Sequence, residues 1–164
     1  MSTIGIDPSV DHPAFALWPQ RETWRIDILG QGAARLRSLY AAAHDWAALS
    51  APDDLEAVFI ERPFGRFQKQ ALDQASGVLQ VAVLNGLAEQ FPHPVSCFEL
   101  STGTWKKAAL GNGAAKKHEV GKWARNRVWH VKELPPPSQL TQDEADALAI
   151  AYAGARLLEQ GEAA

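Results

Sequence analysis

Four acids, Asp7, Glu61, Asp143 and Asp146, stand at the ends of apolar segments spread over the chain, and a fold that gathers them would create a cluster of carboxylate oxygens. Such a cluster suits a hard divalent cation: Mg2+ prefers oxygen ligands and retains waters, so carboxylates serve it better than His or Cys. The chemistry this opens is phosphodiester hydrolysis, in which two ions about 3.5–4 Å apart activate a water, relieve charge on the non-bridging oxygens and stabilise the leaving oxygen. Without metal the acids repel one another, so at least one carboxyl pKa is expected to be raised until an ion binds.

The elements that must position these acids are legible around them. Asp7 closes the run Thr3-Ile4-Gly5-Ile6 and precedes Pro8, which cannot donate to a strand ladder, so a strand is expected to end with a carboxylate at its tip. Glu61 repeats the pattern after Ala57-Val58-Phe59-Ile60, with Arg62-Pro63 as the break. Thr141 and Glu144 form a capping box ahead of an alanine-rich helix, and Asp143 and Asp146, three apart, share one face of its first turn. Each acid also has an ordinary explanation. The helix dipole alone favours Asp143, and loops accept an acid at a strand tip. Asp146 is harder to explain so, because Ala145, Ala147, Leu148, Ala149 and Ile150 predict a packed helix, and a charge on a buried face needs a partner or a metal.

Between the acids, residues 14–18 and 23–29 read as two further strands joined by the polar link Pro19-Gln20-Arg21-Glu22. A helix is predicted over 33–49, a long one over about 68–91, a fifth strand over 95–100, and helices over 101–107 and 114–125 on either side of the turn Leu110-Gly111-Asn112-Gly113. Pro135-Pro136-Pro137 makes a stiff lead into the final helix. Helices following the fourth and fifth strands predict an α/β fold with a mixed five-stranded sheet flanked by helices.

At 164 residues the chain is read as one domain over 1–164. Cys97 stands alone in an apolar run, a buried strand thiol with no disulfide framework around it. No stretch reaches the roughly 18 apolar residues of a membrane span, and a reducing, cytoplasmic setting without membrane attachment is expected. The formal charge of −3 is very uneven: residues 106–132 carry +7 and the remainder −10. A local basic surface is what phosphate binding requires, whatever the total. Trp105, Trp123 and Trp129 are interleaved with those cations, which fits either a working surface or a core. The five histidines, His12, His44, His93, His118 and His130, have no zinc-ligand spacing, and Gly111-Asn112-Gly113 lacks the rest of a phosphate cradle.

Taken in order, Gly5-Ile6-Asp7-Pro8, Glu61 with Phe64 close behind, Lys106 through Gly111 and Gly113 to Lys117, and Asp143-x-x-Asp146 with Ala147-Leu148-Ala149-Ile150-Ala151 resemble the RuvC-like Holliday junction resolvases over about residues 3–152. The resemblance implies an RNase H-like fold and a homodimer that binds a four-way DNA junction and nicks two opposing strands symmetrically, with a branch-migration helicase as a further partner. It implies that Asp7, Glu61, Asp143 and Asp146 bind the metals, two Mg2+ per site with Mn2+ able to substitute. Lys117 is then either a surface lysine or the cation that offsets charge at the attacked phosphate. Phe64 matches an aromatic acting at the junction centre, with Phe67 as its alternative. The wider DNA-contacting set is Arg66, Lys69, Lys106, Lys107, Lys116, Lys117, His118 and Lys122. Two departures stand out: Ser9 occupies the place of the glycine usual after Asp-Pro, and the loop following Glu61 is short.

Three other functions use parts of the same pattern. A junction-binding protein without turnover would need the basic face alone and has no use for mutually repelling acids. A nuclease of the same chemistry would act instead on flap, branched or RNA–DNA hybrid substrates. An actin-like phosphotransferase shares a first strand ending in Gly-x-Asp, but it needs two lobes and this chain is too short for them.

Overall fold

The computed structural model describes residues 1–63, 69–128 and 140–162, with the side chains of Lys69 and Val128 excepted. The described residues form strands β1 (Ser2–Asp7), β2 (Ala14–Trp18), β3 (Glu22–Arg25), β4 (Leu55–Glu61) and β5 (Ser96–Leu100). The helices are α1 (Gly32–Ser50), α2 (Lys69–Ala88), α3 (Thr102–Leu110), α4 (Lys117–Val128) and α5 (Gln142–Gln160). The sheet runs β3-β2-β1-β4-β5, antiparallel from β1 outward through β2 to β3 and parallel from β1 through β4 to β5. This is the mixed five-stranded sheet with flanking helices that the segment order predicts.

Alternation along the strands decides what each face can hold. Ile4, Ile6, Phe15, Leu17, Val58 and Ile60 point to one side, where Leu39, Ala43, Trp46 and Ala47 of α1 and Ala75, Leu79, Ala82, Val83 and Leu87 of α2 close over them. The opposite side carries mostly small residues near its centre, among them Gly5, Ala14, Ala16 and Ala57, and α5 lies against it with α3 and α4 beside it. Gly5 is where the small-residue rule is strictest: a Cβ there would collide with the Ala147 carbonyl oxygen and the Ala151 amide nitrogen and would lie 2.9 Å from the Ala151 Cα. Backbone atoms cannot step aside, so glycine at this position lets α5 ride directly on β1. The Thr3 hydroxyl then donates to the Ala151 carbonyl oxygen at 2.8 Å, fixing the height of the helix along the strand.

Several boundaries differ from the sequence expectation, α2 ending at Ala88 and α4 at Val128 among them, and three others have plain physical reasons. The third strand, expected over 23–29, ends at Arg25, because its partner β2 begins only after Pro13, which has no N–H to return. Ile26 and Ile28 still donate to the carbonyl oxygens of Pro13 and Asp11, so pairing continues one-sidedly. Residues 114–116, expected as the start of a helix, form a turn in which Asn112 accepts from the Ala114 amide with its side chain and from the Ala115 amide with its carbonyl. The helix starts at Lys117, and the Glu119 carboxylate reaches back to the Lys116 amide at 2.7 Å. Helix α3 runs three residues beyond the expected 107 and stops at Gly111, whose φ of 78° is the left-handed cap conformation. The proline run at 135–137 lies outside the described residues.

Candidate active site

Strand register brings the first two acids together. Thr3, Gly5 and Asp7 lie on the α5 side of β1, as Ala57, Phe59 and Glu61 do on β4. The two parallel strands pair Ile6 with Ile60, so Asp7 and Glu61 are the next positions outward on the same face and at the same carboxyl-terminal edge. Ala147 and Ala151 of α5 sit over Gly5, which puts the preceding helical turn, with Asp143 and Asp146, at the edge where β1 ends. The predicted capping box is present, with Thr141 accepting from the Glu144 amide and the Glu144 carboxylate accepting from the Thr141 amide. Glu144 is thereby committed to holding the helix start, which leaves Asp143 and Asp146 as the acids available to the site.

The electrostatics agree with this convergence. The Asp7 carboxyl is raised well above the ordinary carboxylate range, first by burial and then by the charges of Glu61, Asp146 and Asp143, with Lys117 opposing. Asp146, 8 % exposed, is pushed up to about 6, first by burial; a hydrogen bond from Gln142 opposes this, Glu61 adds to it, and Lys117 and Lys106 oppose it. Asp7, Asp143 and Lys117 line a cleft of about 570 Å³ together with Ser9, Asp11 and Leu72. Glu61 and Asp146 are not among its lining residues and join the group through their charge on Asp7. Among the described residues no set of three or more His, Cys, Asp or Glu side chains is already arranged to hold a metal ion, so this is a gathering of acids and not a closed cage. The donor chemistry nevertheless fits a hard divalent cation: the donors are carboxylates, Asp146 buried and the others half-buried, and their mutual repulsion is what such an ion relieves.

Two of the acids are held by neutral donors to which the sequence reading gave no such role. Glu61 Oε1 accepts from Thr102 Oγ1 at 2.5 Å and from Trp105 Nε1 at 3.2 Å, and Asp146 Oδ1 accepts from Gln142 Nε2 at 2.8 Å. Gln142 could have been found, since it precedes Asp146 by one helical turn. Thr102 and Trp105 carried no local signal, because each is more than 40 residues from Glu61.

The expected DNA-contacting residues divide. Lys107, Lys116, Lys117, His118 and Lys122 are exposed on α3, α4 and the turn between them. Lys106 is half-buried and committed inward, its Nζ donating to the Ala115 carbonyl oxygen at 2.8 Å and lying 5.4 Å from the Trp105 ring centre. The Lys69 side chain and all of Phe64, Arg66 and Phe67 lie outside the described residues. For the interleaved tryptophans the core alternative holds where it can be judged. Trp105 is fully buried, and Trp123 is half-buried against Tyr152, with the Arg127 guanidinium 5.3 Å from its ring; Trp129 lies outside the described residues. The Cys97 thiol is half-buried on β5 and pushed up to about 11, chiefly by burial, as an unreactive strand thiol would be.

A mixed sheet of this order, with acids at the ends of β1 and β4 and near the start of α5, is an RNase H-like fold. The family model described as "Crossover junction endodeoxyribonuclease RuvC" matches residues 4–153, and the chain belongs to that family. Its activity is that of a junction-resolving endodeoxyribonuclease, and the family is metal-dependent. Among solved structures, Thermus thermophilus RuvC is 26% identical, with a TM-score of 0.72 and 99% of this chain and 98% of that one covered. T. thermophilus RuvC in complex with a Holliday junction substrate is 28% identical, with a TM-score of 0.71 and the same coverage. The yeast mitochondrial Holliday junction resolvase Ydc2, 12% identical with a TM-score of 0.54 over 96% of this chain and 80% of that one, shares the fold. A comparison with curated proteins finds no sequence match. Among the described residues no helix is long and apolar enough to cross a membrane.

Proposed function

We propose that Asp7, Glu61, Asp143 and Asp146 are the metal-binding and catalytic acids of this nuclease. In this reading they hold two Mg2+ ions, with Mn2+ able to substitute, and the enzyme resolves four-way DNA junctions by paired symmetric nicks. The observation that carries this is geometric: Asp7 and Glu61 end adjacent parallel strands on the α5 face, and Asp7, Asp143 and Lys117 line one cleft; the Asp7 carboxyl is accordingly raised, first by burial and then by the three other acids. Bound divalent ions supply an activated water and charge relief on the phosphate. The protein's own part is to aim the acids from two adjacent strand ends and one helix turn, and to keep Lys117, a cleft-lining cation, where charge accumulates on the attacked phosphate.

The exposed cations Lys107, Lys116, His118 and Lys122 serve as the phosphate-contacting surface, with Phe64, Arg66, Phe67 and Lys69 as further DNA contacts. Lys106 acts on DNA indirectly, by holding the 112–116 turn through Ala115. The chain acts as one domain over 1–164, in the cytoplasm, as a homodimer, because two symmetric nicks need two sites, and a branch-migration helicase is its expected partner. The complex of T. thermophilus RuvC with a Holliday junction supports branched DNA as the substrate. The test is cleavage of a labelled four-way junction, a duplex, a flap and an RNA–DNA hybrid with Mg2+, Mn2+ or EDTA. Paired nicks in the junction alone, abolished by EDTA, are expected; equal cutting of all four substrates overturns the specificity.

A further inference from the structure

Glu61 stands apart from the other acids in how it is held. Both hydrogen bonds it receives converge on one oxygen, Oε1, from Thr102 Oγ1 and Trp105 Nε1. Among the described residues Oε2 accepts from no donor, and the adjacent Arg62 pairs with Glu99 at 3.1 Å. The two donors come from one face of α3, where residues three apart are neighbours. Their supports differ. Trp105 is 1 % exposed, and its ring belongs to the core cluster that also holds Ala57, Leu100, Val120 and Ile150, so the indole N–H is aimed by core packing. Thr102 begins α3 directly after its Ser101 cap, where the positive end of the helix dipole also favours a carboxylate.

From this geometry we infer that Thr102 and Trp105 are positioning residues that lock Glu61 in one rotamer and reserve Oε2 for the metal. The inference rests on Glu61 being a metal ligand as proposed above. Neutral donors suit the task better than a lysine or arginine. A cation would orient the carboxylate equally well but would cancel the charge that attracts the ion, whereas a hydroxyl and an indole N–H leave that charge intact. Partners that orient a ligand are worth about 10–100-fold in metal affinity.

The test is Mn2+ binding by the full chain, read from the electron paramagnetic resonance signal of free Mn2+, for wild type, Glu61→Gln, Trp105→Phe, Thr102→Val and Thr102→Ser. Trp105→Phe keeps an aromatic ring in the core but removes the N–H together with part of the ring system, so it carries a packing loss as well; Thr102→Val removes the hydroxyl at nearly constant shape. Each is expected to weaken Mn2+ binding about tenfold. Thr102→Ser is expected to restore it, which a merely structural threonine would not require. If Glu61→Gln weakens binding while Trp105→Phe and Thr102→Val bind as wild type, the positioning role is overturned and the Glu61 assignment stands. If Glu61→Gln itself binds as wild type, Glu61 is no ligand and both fall. Should Trp105→Phe fail to fold, the threonine pair decides alone.

Discussion

Replacing Asp146 by asparagine should stabilise the metal-free protein at neutral and alkaline pH while destroying its activity. Asp146 is buried one turn into α5, and its pKa is raised from the ordinary 3.8 to about 6, chiefly by burial. A raised acid pKa means that the folded state binds the proton more tightly than the unfolded chain. Stability is therefore unaffected below about pH 4, falls as pH rises from there to about 6, and stays at the reduced level above. At about 1.36 kcal/mol per pH unit, the full difference is about 3 kcal/mol of stability lost to ionising this carboxyl in the fold. The amide introduced by Asp146→Asn is neutral and retains an oxygen that can accept from Gln142 Nε2, so the variant escapes most of that loss. Urea unfolding in EDTA at pH 8 should show the variant more stable by about 2–3 kcal/mol, and the advantage should vanish at pH 4, where Asp146 is protonated. Adding Mg2+ should narrow the gap from the other side, because an ion that binds only the folded wild type stabilises it. A variant no more stable than wild type at pH 8, or equally more stable at both pH values, would refute the claim that repulsion and burial strain the empty site.

Other outcomes follow from the same geometry. Asp146→Asn should leave junction binding measurable by gel shift while cutting is lost, because carboxylates repel phosphates and do not hold DNA; full activity would remove Asp146 from the site. Gly5→Ala should cost about 3 kcal/mol or more in thermal or urea unfolding, since its methyl would collide with the Ala147 carbonyl and the Ala151 amide. Lys107→Ala and Lys122→Ala should each weaken binding similarly for all DNA shapes and lower the salt slope by about one, whereas Lys106→Ala should act mainly on stability, through the lost bond to Ala115.

Most of the site was readable because it depends on where segments end. Pro8 and Pro63 mark the strand tips that carry Asp7 and Glu61, and the Thr141–Glu144 box fixes the phase of α5 and so of Asp143 and Asp146; the placement of all four acids on their elements follows from punctuation. What punctuation cannot show is how far apart two tips lie. That was decided by Gly5 and the small residues on one sheet face, which allow α5 to sit close enough to bring Asp143 and Asp146 to the edge. The tryptophans illustrate the opposite difficulty. A basic and aromatic segment reads alike whether its rings face solvent or core, and only the packing of α3 and α4 against α5 assigns Trp105 and Trp123 inward. The early end of β3 had the same origin, since Pro13 limits its pairing from the neighbouring strand and not from its own sequence.

Whether acids distant in sequence share divalent ions at the common edge of β1, β4 and α5 is decided by anomalous scattering from crystals soaked in Mn2+. Manganese peaks bounded by Asp7, Glu61, Asp143 and Asp146 are the expected result. Manganese bound elsewhere, with these four carboxylates left without an ion, would contradict it.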